Sequence, residues 1–366
     1  MVVQFLLTMA FSQPYLVFEQ TYGGDLMELC TDIEILDDGE IILAGSTWSY
    51  GWGGSDFWIV KTDATGNMLW NQFYGDFGYE RTTGLALAPD GGIVISGYLS
   101  TESAGALLKT NSQGELQWNR IYSNAFLLSP SGVISTADSG YLMVGTAGDV
   151  RQFPFFLKTD SLGYEEVYTT YYGDDDDYFR NAIQKSDGTY LVTGQTNTYS
   201  ESSSTEAWLL NLDNEGAILW YQVYPEWSYF NSIVEVPGDK YLCAGRASGG
   251  REYGLLLLDT LGTILMQYSN TQNPSEAIPT SDGNFLVTGR VDNDVSVLKI
   301  DPEGNTIWEE YIGGNFTDEG VSVRENSNNE YLIAANYSWN STEAGKDFWL
   351  LKYSEDSTVV SIHDPI

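Results

Sequence analysis

Histidine is almost absent from this chain, and its absence limits the chemistry available. The only histidine among 366 residues is His363, close to the C-terminus. Catalysis by a histidine base and metal binding through imidazole are therefore excluded for the body of the chain. The sequence also contains neither a GxSxG nucleophile elbow nor a glycine-rich phosphate loop. These absences count against the common hydrolase and nucleotide-binding classes.

Basic residues are scarce as well. Sixteen lysines and arginines face 51 aspartates and glutamates, which gives a formal net charge of -35. Nucleic acid and anionic membranes would be repelled, so we expect no nucleic-acid partner. Neutral ligands and cations remain compatible with this charge. A solvated acidic surface accounts for it without any specific metal role.

The chain has only two cysteines, too few for a disulfide scaffold or a zinc site. Cys30 and Cys243 lie in apolar surroundings (MELCTDI and YLCAGR) and belong to different copies of the repeat described below. We expect both to be buried and unpaired. Reactive thiols are the alternative interpretation.

Long apolar runs are missing, so no transmembrane segment is expected. Residues 1–13 (MVVQFLLTMAFSQ) carry a short apolar run and a small-residue stretch at Ala10–Ser12. This pattern is typical of a secretory signal, although the usual basic start is missing. A strand-forming N-terminal extension is the alternative.

One stretch, DFWIVKTDATGNMLWNQFY at residues 56–74, returns at nearly even intervals. Its alternation predicts two strands joined by a tight turn. In each copy a glycine follows the lysine position by five residues, and this constant offset predicts a turn that needs a positive φ. The lysine positions and their glycines are Lys61 and Gly66, Lys109 and Gly114, Lys158 and Gly163, Asn211 and Gly216, Leu257 and Gly262, and Lys299 and Gly304.

A second hairpin precedes each of these, and the glycine that ends it recurs every 44 to 52 residues from Gly45 to Gly289, with Ala335 in the last copy. Seven four-stranded units of this period predict an all-β fold, a seven-bladed β-propeller with antiparallel blades. The seventh unit lacks a fourth strand. The N-terminal segment VFEQTYG matches LWNQFYG at residues 69–75, so we expect it to close the ring. The propeller should span residues 14–356, with 357–366 as a tail.

The combination of DFWxxKTDxxGxxxW, YGG and DGG followed by a hydrophobic residue and glycine resembles the secreted β-propeller repeat proteins of Bacteroidetes. Many of those proteins carry a C-terminal type IX secretion sorting domain. The resemblance covers about residues 14–356. It implies export, seven blades and a binding or unassigned role, and it supplies no catalytic residues.

Loop lengths indicate which face of the ring would bind a ligand. The interval from the strand-ending glycine to the next lysine position varies from 10 residues (Gly289 to Lys299) to 17 (Gly194 to Asn211). In a four-stranded meander, these loops and the links between blades emerge on one side, where function tends to reside. Aromatic residues collect there and suit a sugar or a protein, although several could simply pack over the blades. The candidate ligand-binding residues are Trp48, Tyr50, Trp52, Tyr178, Trp227, Tyr229 and Trp339.

Acidic residues also recur in the blade links. The run Asp174, Asp175, Asp176 and Asp177 could bind calcium, because hard cations take carboxylate oxygens, but a solvated loop is the alternative. Single acidic residues at corresponding links, Glu28, Glu80 and Asp318, are expected to cap neighbouring backbone.

The residues therefore favour a secreted or cell-surface binding module over an enzyme. We expect a monomer that binds a glycan or an extracellular protein and needs no cofactor, with calcium as the one candidate ion. The alternative is a glycoside hydrolase, because TDATGNMLW loosely matches the aspartate box of sialidase propellers and carboxylate pairs can cleave glycans. Arg246 and Arg290 occupy equivalent positions and would be its anion-binding arginines.

Overall fold

The computed structural model describes residues 13–123, 127–200, 204–248, 253–270, 273–340 and 345–356. The proposed signal, apart from Gln13, and the tail with His363 lie outside these ranges. All regular structure in the described ranges is β-strand. None of these residues belongs to a helix that could cross a bilayer.

Seven four-stranded antiparallel sheets follow one another along the chain as blades. Blades 1 to 3 contain β2 (Glu28–Ile35), β3 (Ile41–Thr47), β4 (Asp56–Thr62) and β5 (Met68–Tyr74); β6 (Glu80–Leu87), β7 (Ile93–Leu99), β8 (Ala104–Thr110) and β9 (Leu116–Tyr122); and β10 (Leu128–Ser135), β11 (Tyr141–Ala147), β12 (Phe153–Thr159) and β13 (Glu165–Thr170). Blades 4 to 6 contain β14 (Asp177–Gln184), β15 (Tyr190–Thr196), β16 (Glu206–Leu212) and β17 (Ile218–Tyr224); β18 (Trp227–Val236), β19 (Lys240–Ala247), β20 (Tyr253–Leu258) and β21 (Ile264–Asn270); and β22 (Asn273–Pro279), β23 (Phe285–Val291), β24 (Asp294–Ile300) and β25 (Thr306–Ile312). Blade 7 contains β26 (Glu319–Glu325), β27 (Glu330–Ser338), β28 (Lys346–Ser354) and β1 (Tyr15–Tyr22).

The N-terminal strand closes the ring, as the sequence predicts. β1 pairs antiparallel with β28, with Tyr22 opposite Phe348. Val17 and Phe18 of β1 are buried in a core cluster that joins blade 7 to blade 1. This closure pairs the strand edge that blade 7 would otherwise expose.

The hydrophobic core lies between successive blades. One cluster, for example, combines Ile42 and Phe57 of blade 1 with Leu85 and Ile95 of blade 2. The two middle strands of a blade are covered on both faces, so β3 and β4 are buried at every position. The outermost strand β5 is largely exposed. Stacked, twisted sheets thus explain why the middle strands are almost continuously apolar.

The recurring lysines and aspartates stabilise the turns. Lys61 Nζ lies 2.5 Å from Glu40 Oε2 at the first hairpin turn of its own blade. Asp63 Oδ1 accepts hydrogen bonds from the backbone N–H groups of Thr65 (2.8 Å) and Asn67 (2.9 Å). The side-chain hydrogen bonds from Asn67 and Thr65 lower the pKa of Asp63 to about 2. Gly66 has a φ of 83°, and the equivalent glycines of the other copies have φ values between 75° and 87°, which confirms the predicted positive φ.

Tyrosines link consecutive blades. The hydroxyl of Tyr74, at the end of β5, donates a 2.5 Å hydrogen bond to the carbonyl of Gly114 in the next blade. The sequence analysis did not predict this contact. The same tyrosine-to-glycine bond recurs as Tyr22 to Gly66, Tyr122 to Gly163, Tyr171 to Gly216 and Tyr224 to Gly262.

Both cysteines are buried and unbonded to each other, as predicted. Cys30 lies in blade 1 and Cys243 in blade 5. Burial raises the pKa of each thiol well above its usual range. Reactive thiols, the alternative considered from the sequence, are therefore not supported.

Candidate functional site

Two segments at the junction of blades 1 and 2 form an exposed surface on the variable-loop face. The loop at residues 48–55 lies beside the blade link at residues 75–79. Gly54 N–H donates to the Gly78 carbonyl (2.8 Å), and Glu80 N–H donates to the Ser55 carbonyl (2.9 Å). A Cβ on Gly54 would collide with the ring of Tyr79, so glycine permits this close approach. The two segments therefore form one hydrogen-bonded surface.

Three aromatic side chains project from this surface. Trp52 is 64% exposed, Phe77 85% and Tyr79 60%. The rings of Trp52 and Phe77 meet edge to face, with centroids 6.4 Å apart. We call Trp52, Phe77 and Tyr79 the aromatic platform. Large aromatic groups left in solvent on an ordered loop are characteristic of a binding surface.

A pocket of about 280 Å³ lies beside the platform and shares Trp52 with it. We call this the junction pocket. Its apolar lining includes Phe73, which is itself partly exposed. Three carboxyl groups contribute to the same lining: Asp76, Glu80 and Glu102. An apolar wall with a few convergent acceptors is the usual composition of a small-ligand site.

Behind the pocket, Asp56 and Glu80 form a buried carboxyl pair. Asp56 Oδ2 accepts a hydrogen bond from the backbone N–H of Trp52 (2.9 Å), which holds the platform loop in place. The other oxygens, Asp56 Oδ1 and Glu80 Oε2, have no hydrogen-bond partner within the described chain. A Cβ on Gly75 would collide with both of these oxygens, so they converge on the same point.

This arrangement perturbs both carboxyl groups. Burial raises the pKa of Asp56 to about 6. The hydrogen bond from the Trp52 backbone opposes this shift, and the negative charge of Asp76 adds to it. Burial and the neighbouring Asp76 and Asp56 raise the pKa of Glu80 to about 7. Two adjacent carboxylates repel each other when no cation lies between them, so the pair takes up a proton more readily than isolated carboxylates do.

Similar carboxyl pairs recur at two other blade junctions. Asp347 and Glu28 interact beside Gly23, and burial followed by the charge of Glu28 raises the pKa of Asp347 to about 6. Asp294 and Asp318 approach each other beside a glycine at the junction of blades 6 and 7. The repetition indicates that the pairs belong to the fold rather than to one catalytic centre.

The predicted capping role is confirmed for the three single acids, each of which accepts a hydrogen bond from backbone of its blade link. Glu28 Oε2 accepts from Gly24 N–H (3.1 Å), and Oε1 accepts from the Thr47 hydroxyl (2.9 Å). Asp318 accepts from Ser338 N–H (2.6 Å) and from a backbone N–H of its own blade link. Glu80 accepts from the backbone of Asp76, but its Oε2 has no partner within the described chain.

The other predicted aromatic residues of blades 1 and 7 form a separate group. Tyr50 is 39% exposed and its hydroxyl donates to the Gly23 carbonyl (2.8 Å). Trp339 is 41% exposed, and its indole N–H donates to Asp347 Oδ1 (3.3 Å). Trp48 is half-buried. These residues lie at the junction of blades 7 and 1, one junction away from the platform.

Tyr178 and Tyr229 lie near the channel, in the innermost strands of blades 4 and 5. The Arg180 guanidinium stacks on the Tyr229 ring, 4.4 Å from its centroid. Trp227 does not match its proposed role as an anchor. Its side chain is 1% exposed and packs against Phe230 with ring centroids 5.6 Å apart. It follows a proline at the blade link and turns into the core, so it is not available to a ligand.

The acidic run of blade 4 divides into two halves. Asp174 and Asp175 are exposed. Asp176 Oδ1 accepts from Gln152 N–H (2.8 Å), and buried Asp177 Oδ1 accepts from the Thr196 hydroxyl (2.7 Å). Across the described ranges, no three His, Cys, Asp or Glu side chains are grouped so that they could hold a metal ion. Calcium binding by this run stays a prediction.

Phe77 and Tyr79 are not among the binding residues predicted from the sequence. Both lie in the link GDFGYE, and aromatic residues in two other links had been selected. The same criterion would have found them. What the sequence did not show is that this link pairs with the loop carrying Trp52.

Comparison with known proteins establishes the fold alone. No protein-family model matches the chain, and no curated protein matches it in sequence. Hydrazine synthase from Kuenenia stuttgartiensis is similar in structure with a TM-score of 0.60 and 13% identity, over 86% of this chain and 94% of that one. Virginiamycin B lyase from Staphylococcus aureus has a TM-score of 0.58 and 13% sequence identity, over 89% of this chain and 98% of that one. A protein of unknown function from Dyadobacter fermentans has a TM-score of 0.54 and 13% sequence identity, over 93% of this chain and 99% of that one. Structural neighbours thus include Bacteroidetes β-propeller proteins of unknown function, and the chain itself is an all-β seven-bladed propeller.

Proposed function

We propose that this protein is a secreted or cell-surface binding module that holds a neutral or amino-sugar glycan on the aromatic platform and in the junction pocket. The observation that carries the proposal is the platform itself. Trp52, Phe77 and Tyr79 are exposed on an ordered, hydrogen-bonded surface where the fold does not require them. Residues that the fold does not require, and that leave large apolar groups in solvent, are expected at functional sites.

Sugar chemistry fits the two parts of the site. The C–H face of a pyranose ring packs on aromatic rings, which supply large contact area with little side-chain entropy to lose. Its hydroxyl groups donate hydrogen bonds to carboxylates such as Asp76 and Glu102 in the adjoining pocket. A sugar residue seated on Trp52 would reach both parts, because Trp52 belongs to both.

Electrostatics narrows the class of glycan. The chain carries a net charge of -35 and the pocket adds carboxyl groups without a basic residue in its lining. Sulfated and uronic-acid polymers would be repelled. Neutral sugars and sugars with a free amino group are compatible with these charges.

A glycan is favoured over a protein partner by the size and shape of the site. Stable protein interfaces bury roughly 1,600 Å² in total and have a broad apolar centre. Here Trp52 of the platform borders one concave pocket of about 280 Å³, and Phe73 adds to the lining of that pocket. That geometry suits one or two sugar residues.

Binding is also favoured over glycoside hydrolysis. A hydrolase needs two carboxyl groups on either side of an exposed glycosidic bond. Asp56 and Glu80 are each 1% exposed, and comparable pairs recur at two junctions without a platform. The aspartate-box resemblance is explained by the turn geometry of Asp63.

A glycan array probed with the full chain tests the proposal. We expect binding to neutral or amino-sugar glycans, and Trp52→Ala should weaken it at least tenfold, because a central aromatic anchor contributes about 2 kcal/mol or more. Trp339→Ala is the matched control: it removes another exposed tryptophan from the same face and should leave binding unchanged. Loss of binding in the control alone, or in neither variant, would refute the assignment. Incubation of each bound glycan with the protein, followed by mass spectrometry, should recover it uncleaved.

A further inference from the structure

All seven innermost strands carry a β-bulge at the same place. In β2, for example, the pairing with β3 jumps from Cys30 to Asp32, so Thr31 is the extra residue. A bulge re-aims the extra side chain and bends the strand. The seven extra residues, which we call the bulge ring, are Thr31, Thr83, Ser131, Arg180, Asn231, Ser275 and Val321.

The bulge ring surrounds a chamber of about 240 Å³ in the central channel. Each of its seven members lines this chamber and is half-buried. Hydroxyl and amide side chains make up most of the ring. The chamber is smaller than the roughly 300–1,000 Å³ of sites for drug-sized ligands, so it suits a smaller polar molecule.

One wall of the chamber carries a cation that lacks a carboxylate partner. Arg180 Nε and Nη2 donate to Gln195 Oε1 (3.2 and 2.8 Å), and Nη1 makes only a 3.5 Å contact with Asn231 Oδ1. No Asp or Glu of the described chain forms an ion pair with this guanidinium. Burial lowers the pKa of Arg180, as expected for a charge removed from water without a counter-ion.

The chamber also carries an excess of negative charge. Asp32 and Glu276 line it, and both bind Arg324, with oxygen-to-nitrogen distances of 3.2 and 2.9 Å. Glu34 binds the same guanidinium at 3.0 Å. Three carboxyl groups thus share one arginine. Burial raises the pKa of Asp32 to about 7, and the charge of Arg324 opposes this shift while Glu276 and Glu34 add to it.

The charges lie on different parts of the chamber wall. Arg180 belongs to blade 4, whereas Asp32 belongs to blade 1 and Glu276 to blade 6. In a closed ring of seven, blade 1 lies almost opposite blade 4, and blade 6 is two blades away from it. A ligand in the chamber therefore meets a guanidinium on the wall formed by blade 4 and carboxyl groups on the walls formed by blades 1 and 6.

We propose that the central chamber binds a small zwitterion of the α-amino-acid class, with its carboxylate on Arg180 and its ammonium group on Asp32 and Glu276. Charge-assisted hydrogen bonds would form at both ends. A zwitterion has no net charge, so the field of a chain with charge -35 does not repel it as it would repel a simple anion. This site is separate from the aromatic platform and does not depend on it.

Isothermal titration of the full chain with each of the twenty L-amino acids tests the proposal. We expect at least one to bind with a Kd of about 1 mM or tighter. The decarboxylated amine and the deaminated acid of that amino acid should each bind at least tenfold more weakly to the unaltered protein. Absence of binding across the panel, or equal binding of the amine, would overturn the proposal.

Arg180→Gln should weaken the same binding at least tenfold. Arg120→Gln is the matched control, because Arg120 also stacks on a tyrosine, 4.5 Å from the Tyr164 centroid, but lies outside the channel. It should change the Kd less than twofold. Trp52→Ala should leave amino-acid binding intact, which separates this site from the glycan site. If Arg180→Gln folds and retains full affinity, the chamber assignment is wrong; if it does not fold, the comparison of amino acid with amine decides.

Discussion

The buried carboxyl pair at the junction of blades 1 and 2 makes stability depend on pH, and Glu80→Gln should remove most of that dependence. Glutamine has nearly the same shape as glutamate and carries no charge. Its amide group can donate a hydrogen bond to Asp56 Oδ1, which has no partner in the described structure. The change therefore removes a repulsion and supplies a donor at the same point.

The sign and size follow from the shift of Glu80. Its pKa rises from 4.5 to about 7 on folding, so the folded state holds the proton more tightly than the unfolded chain. Stability is then complete below about pH 4.5 and is lost as the pH rises through about 7. The whole shift corresponds to about 3 kcal/mol at 1.36 kcal/mol per pKa unit, and screening by solvent and sharing with Asp56 reduce this to about 2 kcal/mol.

Urea unfolding followed by tryptophan fluorescence at pH 4 and pH 8 measures the effect. We expect Glu80→Gln to match the parent closely at pH 4 and to exceed it by about 2 kcal/mol in unfolding free energy at pH 8. Glu102→Gln is the control, because it removes an exposed acid from the same pocket and should give nearly equal differences at both pH values. A Glu80→Gln variant that is less stable than the parent at pH 8 would refute the reasoning.

Three further predictions concern the closure of the ring, the state of the two cysteines and the tyrosine contacts between blades. Deletion of residues 14–24 should expose the β28 edge and give aggregated or unfolded protein; a truncated chain as soluble and heat-stable as the parent would contradict this closure. Mass spectrometry of denatured, unreduced protein should find alkylation at both Cys30 and Cys243, and a single intact bridge would disprove it. Tyr74→Phe should lower the unfolding free energy by about 1 kcal/mol in urea, whereas Tyr79→Phe on the surface should leave it unchanged.

The fold was predictable because each blade repeats the same local physics. The glycine five residues after Lys61 requires a positive φ in every copy, and the match between residues 17–23 and 69–75 identifies the closing strand. The glycine is a local signal, and the match between the two segments is a comparison of one repeat with another, so neither requires knowledge of long-range contacts. A constant turn and a constant period leave few alternatives to a closed ring.

The candidate site was less predictable, because its contacts join segments that the repeat does not relate. The face was found from loop lengths, and Trp52 was among the residues selected. Trp227 was selected in the same way, as an aromatic residue next to a blade link, yet it is buried. Composition alone does not show which face of a strand a side chain occupies. Phe77 became recognisable only once its link was seen beside the loop of Trp52.

The bulge ring lay beyond sequence reasoning for a different reason. The extra residue of a bulge is defined by pairing register, and a shift of one position exchanges the two faces of a strand. In the sequence, Arg180 therefore cannot be distinguished from any other polar residue of an amphipathic strand. Only the register with β15 directs it to the channel.

Binding of a glycan on the aromatic platform would be seen most directly in the indole N–H signals of the 11 tryptophans. Two-dimensional NMR of protein labelled with nitrogen-15 in tryptophan, with signals assigned through single Trp-to-Phe variants, would be followed during titration with a glycan selected by the array. We expect the Trp52 signal to shift in a saturable way while the signals of Trp339 and of buried Trp227 stay in place. A saturable shift at other indoles, with the Trp52 signal unchanged, would contradict it.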